Sequence, residues 1–242
     1  MKKLFFTLLI TILMTPSCFA YSEDSELQAC MKNGNYTTAT MMQCTYNRGN
    51  FYKNLSKMQI KKLKNKLSPA EYEKLIQNQN LFELYAKSLD AGALEILSST
   101  MGSIYPTMAS GIYYQTYYDN TKILDMLLSK QKFNDELLNQ IPISKMSSTI
   151  DKKLALLKNN LTPTENNMKF NYKKAYIYNA EYNRYTDIEK SQKAWVNYFN
   201  DTKSNIIPML KDYPDIQNYI QRMLYEDRIS VLSTINAPFD DM

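Results

Sequence analysis

Apolar residues recur along this chain at helical steps of three and four. The clearest stripe is Ile188, Trp195, Tyr198 and Thr202, which follow one another at seven, three and four positions and so share one face of a helix. A second stripe, Leu75, Phe82, Tyr85 and Leu89, repeats those steps 113 residues earlier, and Gln79 stands where Gln192 stands. Two helix starts also match. Leu67-Ser68-Pro69-Ala70-Glu71 offers Ser68 as N-cap, Pro69 at the first helical position and Glu71 to complete a capping box. Leu161-Thr162-Pro163-Thr164-Glu165 has the same design, 94 residues on. The two offsets differ by 19, so either the second copy holds an insertion or one match is coincidental.

The remaining pattern extends the helical reading. Leu27 to Met31 predicts a short helix broken at Gly34-Asn35. Thr37 or Thr38 caps a longer one carrying Met41, Met42, Cys44, Phe51, Leu55, Met58, Ile60, Leu63 and Leu67. Gly49 lies inside that run and disfavours helix by about 1 kcal/mol relative to alanine, so a bend or short break is expected there. Pro106 opens a helix through Tyr113, Tyr114, Tyr117, Tyr118, Ile123, Leu124, Leu127 and Leu128. Ile150, Leu154 and Leu157 form another, ending near Asn160, and Phe170, Tyr172, Tyr176 and Tyr178 a further one. Thr186 or Asp187 caps the tryptophan helix, and the last helix carries Ile216, Tyr219, Ile220, Met223, Leu224, Ile229 and Leu232. No stretch sustains a period of two, and only five glycines occur. The predicted class is all-α: a helical bundle, divided into two tandem bundles at 21–128 and 149–235, with a polar linker over 129–148 and a polar tail over 236–242.

The first twenty residues read differently. Lys2 and Lys3 precede the apolar run Leu4 to Leu13, and Cys18-Phe19-Ala20 ends in a small residue. This is the pattern of a secretory signal peptide, and it places the mature chain in a periplasm or outside the cell. The run is short for a membrane span, and nothing later reads as a stop-transfer segment, so no stable membrane insertion is expected. A lipoprotein would need Cys18 as its lipidated residue, and Thr15-Pro16-Ser17 fits that pattern poorly. Without residues 1–20, 27 basic residues face 24 acidic ones, a net charge of +3. The densest basic run, Lys61 to Lys66, lies on a helical pattern whose Ile60, Leu63 and Leu67 face inward. It reads as a helix surface, and no nucleic-acid partner is expected.

Cleavage leaves two cysteines, Cys30 and Cys44, and in an exported chain an isolated pair forms a disulfide. The chain has no histidine. That removes the residue that most readily shuttles protons near neutral pH, together with His-based zinc sites and Ser-His or Cys-His nucleophiles. No calcium-type loop is present. Neither a cofactor nor a metal is expected, and the chain reads as a non-enzyme.

The remaining candidates are structural. Trp195 with Tyr198, and Phe82 with Tyr85, could stack on a ligand, but their spacing is that of a bundle core. Gln79 and Gln192 lie on or beside the same stripes, and a buried amide needs partners, so bonds between helices are expected of them. The tyrosines at 113, 114, 117 and 118 offer binding-surface chemistry, yet half must face the core in any helix. Carboxylate neighbours such as Asp240-Asp241 and Glu71 with Glu73 read as surface charge.

With these residues in place, the chain resembles the lysozyme inhibitor LprI N-terminal domain family of exported helical domains. The resemblance rests on Met41-Met42-Gln43-Cys44, the capped start at Ser68, and Gln192-Lys193-Ala194-Trp195-Val196-Asn197-Tyr198, which fits a Gln-x-x-Trp-x-x-Tyr pattern. Arg228 fits an arginine carried on the family's last helix. It covers residues 27 to about 128, and more loosely about 150 to 232. Phe82 replaces the tryptophan in the first copy, no arginine occurs near Asn120 to Lys122, and a second cysteine pair frequent in the family is missing. The resemblance implies a module that binds a protein partner, with lysozyme inhibition as a special case. Common animal lysozymes are strongly basic, so a mature inhibitor at +3 has no overall electrostatic advantage. The alternatives are a structural or envelope-maintenance protein and a cell-wall hydrolase using two carboxylates.

Overall fold

In a computed structural model of the chain, residues 24–89, 92, 96–97, 104–133, 141–162 and 185–240 are described, without the side chains of 238 and 240. The stretch expected to be a signal peptide, the second helix start from Pro163 onward, and the run through Phe170, Tyr172, Tyr176 and Tyr178 lie outside these residues. The described residues form helices without a strand, as the periodicity predicts. The helices are α1 (Ser25–Asn33), α2 (Thr38–Leu63), α3 (Pro69–Leu89), α4 (Ile104–Ser129), α5 (Ile143–Leu161), α6 (Tyr185–Asp201) and α7 (Pro214–Asp240). A π-helical turn over Thr202–Ile206 and a 3-10 turn over Ile207–Leu210 join α6 to α7. Among the described residues no helix is long and apolar enough to cross a membrane.

Local chemistry sets the boundaries. Asp24 caps α1 by accepting from the Leu27 N–H at 3.0 Å. Gly34 closes that helix, and Asn35 and Tyr36 turn the chain with positive φ. The Thr37 hydroxyl oxygen accepts from the Thr40 N–H and starts α2. Ser68 and Glu71 form the expected capping box, Glu71 accepting from the Ser68 N–H at 2.9 Å and Ser68 from the Glu71 N–H at 3.3 Å. Helix α5 begins after Pro142, inside the stretch expected to be linker. Helix α7 continues to Asp240, through what the sequence suggested was a polar tail, and Asn236 is buried there, accepting from the Asn160 amide at 2.8 Å.

Gly49 departs from expectation. Helix α2 runs through it without a break. A Cβ there would stand 2.5 Å from Tyr113 Cδ1 and 3.3 Å from Tyr114 Cα. The glycine is thus where α4 crosses closest to α2, and the loss in helix propensity is offset by tight packing.

Both predicted stripes are core. Ile188, Trp195, Tyr198 and Thr202 are at most 4% exposed, and Leu75, Phe82, Tyr85 and Leu89 at most 2%. Each such apolar side chain contributes about 1.5–3 kcal/mol on burial. Tyr113, Tyr114 and Tyr117 are buried as well, with Tyr118 partly so. Their rings pack edge-on or stacked with Tyr52, Phe82 and one another. They belong to the core, not to an exposed tyrosine face.

The packing repeats. Helix α2 lies on α4, and α5 lies on α7. Between these pairs α3 lies on α6, and α4 on α7. The two helices with matching stripes therefore face each other, as do the helices that close each half.

Candidate functional site

The residues singled out by the sequence converge where these four helices meet. In the first half, Gln79 of α3 and Asn120 of α4 exchange hydrogen bonds: Gln79 Nε2 donates to Asn120 Oδ1 at 3.2 Å, and Asn120 Nδ2 to Gln79 Oε1 at 3.0 Å. In the second half, Arg228 of α7 donates from Nε to Gln192 Oε1 of α6 at 2.9 Å and from Nη2 to Ser191 Oγ at 3.0 Å. Each glutamine thus reaches the last helix of its own half. The first half lacks the arginine, and Asn120 occupies its role.

Between the halves, Tyr85 and Tyr198 stack with centroids 6.2 Å apart and planes 14° from parallel. Phe82 lies against both Tyr198 and Tyr117. Trp195, the counterpart of Phe82, packs on Phe199 and Tyr225 within its own half. Asn78 crosses the seam, donating to Asp201 Oδ2 and Thr202 Oγ1, both at 2.9 Å. The π-helical turn starting at Thr202 presents this hydroxyl to α3.

Two buried carboxyls, Asp119 of α4 and Asp227 of α7, belong to the same cluster. Asp119 Oδ2 accepts from Gln115 Nε2 at 2.8 Å. Asp227 Oδ2 lies 3.5 Å from the Tyr85 hydroxyl, and its Oδ1 has no hydrogen-bond partner among the described residues. Burial pushes the Asp227 carboxyl up, repulsion by Asp119 adds to it, and Arg228 and Tyr85 offset only part, so it titrates at about 8. Burial also lowers Arg228 from the usual arginine range. Its guanidinium is enclosed, lies 5.8 Å from the centre of the Tyr85 ring, and leaves Nη1 without a hydrogen-bond acceptor among the described residues. Tyr85 and Tyr198 are both raised, first by burial; Asp227 adds to the rise at each, and Asp119 adds at Tyr198. The pair was missed in the sequence because its members are 108 residues apart. The available signal was the repeated position of Asp119-Asn120 and Asp227-Arg228, each an acid followed by the residue that meets the glutamine.

Cys30 and Cys44 form a disulfide with Cα atoms 5.9 Å apart, tying α1 to α2. Beside it, Asp24 accepts from Arg48 Nε at 2.6 Å and from the Tyr52 hydroxyl at 2.9 Å. Burial alone would raise Asp24, but the bonds from Arg48, Leu27 and Tyr52 outweigh it and hold the carboxyl below its ordinary value. Among the described residues no group of three or more Cys, Asp or Glu could hold a metal ion. No family model, curated protein or solved structure matches the chain.

Proposed function

We propose that this chain is an exported, non-enzymatic module that binds a protein partner, of the kind the LprI N-terminal resemblance implies, with lysozyme as the special case to test first. The reading is supported by one observation above the others: each glutamine of the two Gln-x-x-aromatic stretches meets the last helix of its own half, Gln192 through Arg228 and Gln79 through Asn120. These motif residues act as a scaffold, so the binding surface lies on the outside of the bundle. The Cys30–Cys44 bridge is compatible with export.

A hydrolase needs its two carboxyls on the wall of a cleft, where substrate reaches them. Asp119 and Asp227 are instead buried in the seam with Tyr85, Tyr198 and Arg228, which favours a binding module. The mature protein is expected to slow lysis of cell walls by lysozyme at near-stoichiometric amounts. No slowing at large excess, across lysozyme classes, removes the special case. A pull-down with mature protein then separates the general reading from its alternative, since an envelope-maintenance protein recovers envelope components and not a soluble enzyme.

A further inference from the structure

The charges on this chain are segregated. From residue 27 to residue 70 there is no acidic residue, while Lys32, Arg48, Lys53, Lys57, Lys61, Lys62, Lys64 and Lys66 supply eight positive charges. Without residues 1–20, the rest of the chain then holds 27 minus 8, or 19, basic residues against 24 acidic ones, a net charge of −5. The modest overall charge hides a basic stretch, five of whose eight charges, Arg48, Lys53, Lys57, Lys61 and Lys62, are on α2.

That helix is an outer one, packed on α1 and α4. Its 26 residues give a face about 39 Å long. Arg48 is engaged by Asp24 and Glu26. Lys53, Lys57, Lys61 and Lys64 follow at steps of four, four and three and so share one stripe, while Lys62 lies about 100° round the helix from Lys61 and Lys66 follows the helix end. None of these six has an ion-pair partner among the described residues. Lys53 lies over the Tyr117 ring, Lys66 donates to the Leu128 carbonyl, and Lys57, Lys61, Lys62 and Lys64 project from exposed positions. Lysines four residues apart repel one another, so the arrangement adds nothing to the stability of the helix. Four large apolar side chains, Met42, Tyr46, Phe51 and Met58, are also exposed on α2. A solvated helix face has no use for that mixture. A surface with anionic groups outside and apolar chains beneath matches both parts of it.

We propose that the solvent face of α2 adsorbs to a bilayer containing anionic phospholipid, the lysines meeting headgroup phosphates and the exposed apolar side chains entering the interface. No helix inserts. The face also repels a basic lysozyme, so the two binding events would use different surfaces, and this proposal stands whether or not lysozyme is a partner.

The test is co-sedimentation of mature protein with vesicles of phosphatidylglycerol and phosphatidylcholine, against pure phosphatidylcholine. Binding is expected to the anionic vesicles alone, weakening steeply above about 0.1 M salt. Each lysine near such a surface contributes about fivefold in partition, so K57E/K61E/K64E is expected to lose at least about a hundredfold. K145E/K152E/K193E changes the net charge equally from exposed positions on α5 and α6, and is expected to retain most of the binding. Helical content by circular dichroism shows that both variants are folded. Equal losses in the two variants would reduce the effect to net charge and overturn the proposal. So would absence of vesicle binding at low salt, or binding to soluble heparin without binding to vesicles.

Discussion

Asp227 makes a prediction that runs opposite to ordinary acid denaturation. In the unfolded chain its carboxyl titrates near 3.8, and in the fold near 8. Between those values the native state holds a proton that the unfolded state has lost, so stability falls as pH rises through this window and levels off above it. Moving a carboxyl this far corresponds to a ceiling on the order of 6 kcal/mol, and relaxation around the ionised group returns part of it, leaving a loss of about 2–4 kcal/mol by pH 9. For a chain of this size that lowers Tm by about 5–15 °C. Asp227→Asn keeps the shape and removes the charge. It is expected to melt close to wild type at pH 5 and above it at pH 9, so the difference between the two Tm curves isolates this carboxyl from every other titrating group. Asp119→Asn removes the repulsion but not the burial, and is expected to end the descending limb at a lower pH. Parallel Tm curves for wild type and Asp227→Asn between pH 5 and 9 would refute the reasoning.

Other parts of the fold give further tests. Gly49→Ala improves helix propensity but drives a methyl into the Tyr113 ring, and a net loss of about 1–2 kcal/mol is expected in urea unfolding. Replacing Cys30 and Cys44 with serine is expected to lose about 3 kcal/mol, and the mature wild-type protein should show no thiol reactive to alkylation before reduction. Asp24 has a depressed carboxyl, so its contribution is present above the unfolded value and lost as pH falls through the folded one. Asp24→Asn is expected to lose about 1.5–3 kcal/mol at pH 7, with a shallower acid limb than wild type in thermal melts.

What the sequence disclosed followed the range of the interactions involved. Helix starts depend on residues three apart: Ser68 with Glu71 formed as expected, and of the two candidate caps Thr37 and Thr38 it is Thr37 that caps α2, through the Thr40 N–H. The stripes depend on periods within one helix, and all eight of their residues are buried. Gly49 misled because propensity is a local preference, whereas its reason is Tyr113 on another helix. The end of α7 misled similarly: Asn236 looks like tail chemistry until Asn160 supplies its partner. Asp119 and Asp227 were the hardest to see. Each looks like ordinary surface charge on a helix, and only the packing of α4 on α7 puts one near the other.

The raised carboxyl owes most to burial, and the missing arginine bears on the repulsion that adds to it. Among the described residues, Arg228, Asp119, Asp227 and Lys122 are all buried, and the Lys122 ammonium lies over the Tyr118 and Phe133 rings. With both carboxyls ionised, two like charges lie near each other away from water, a repulsion that a low-dielectric interior strengthens. A second arginine at position 120 would neutralise it and let both acids ionise. Asn120 instead satisfies Gln79 by amide pairing and brings no charge. The departure of the first half from the second at this one position therefore leaves the repulsion between Asp119 and Asp227 without an arginine from the first half.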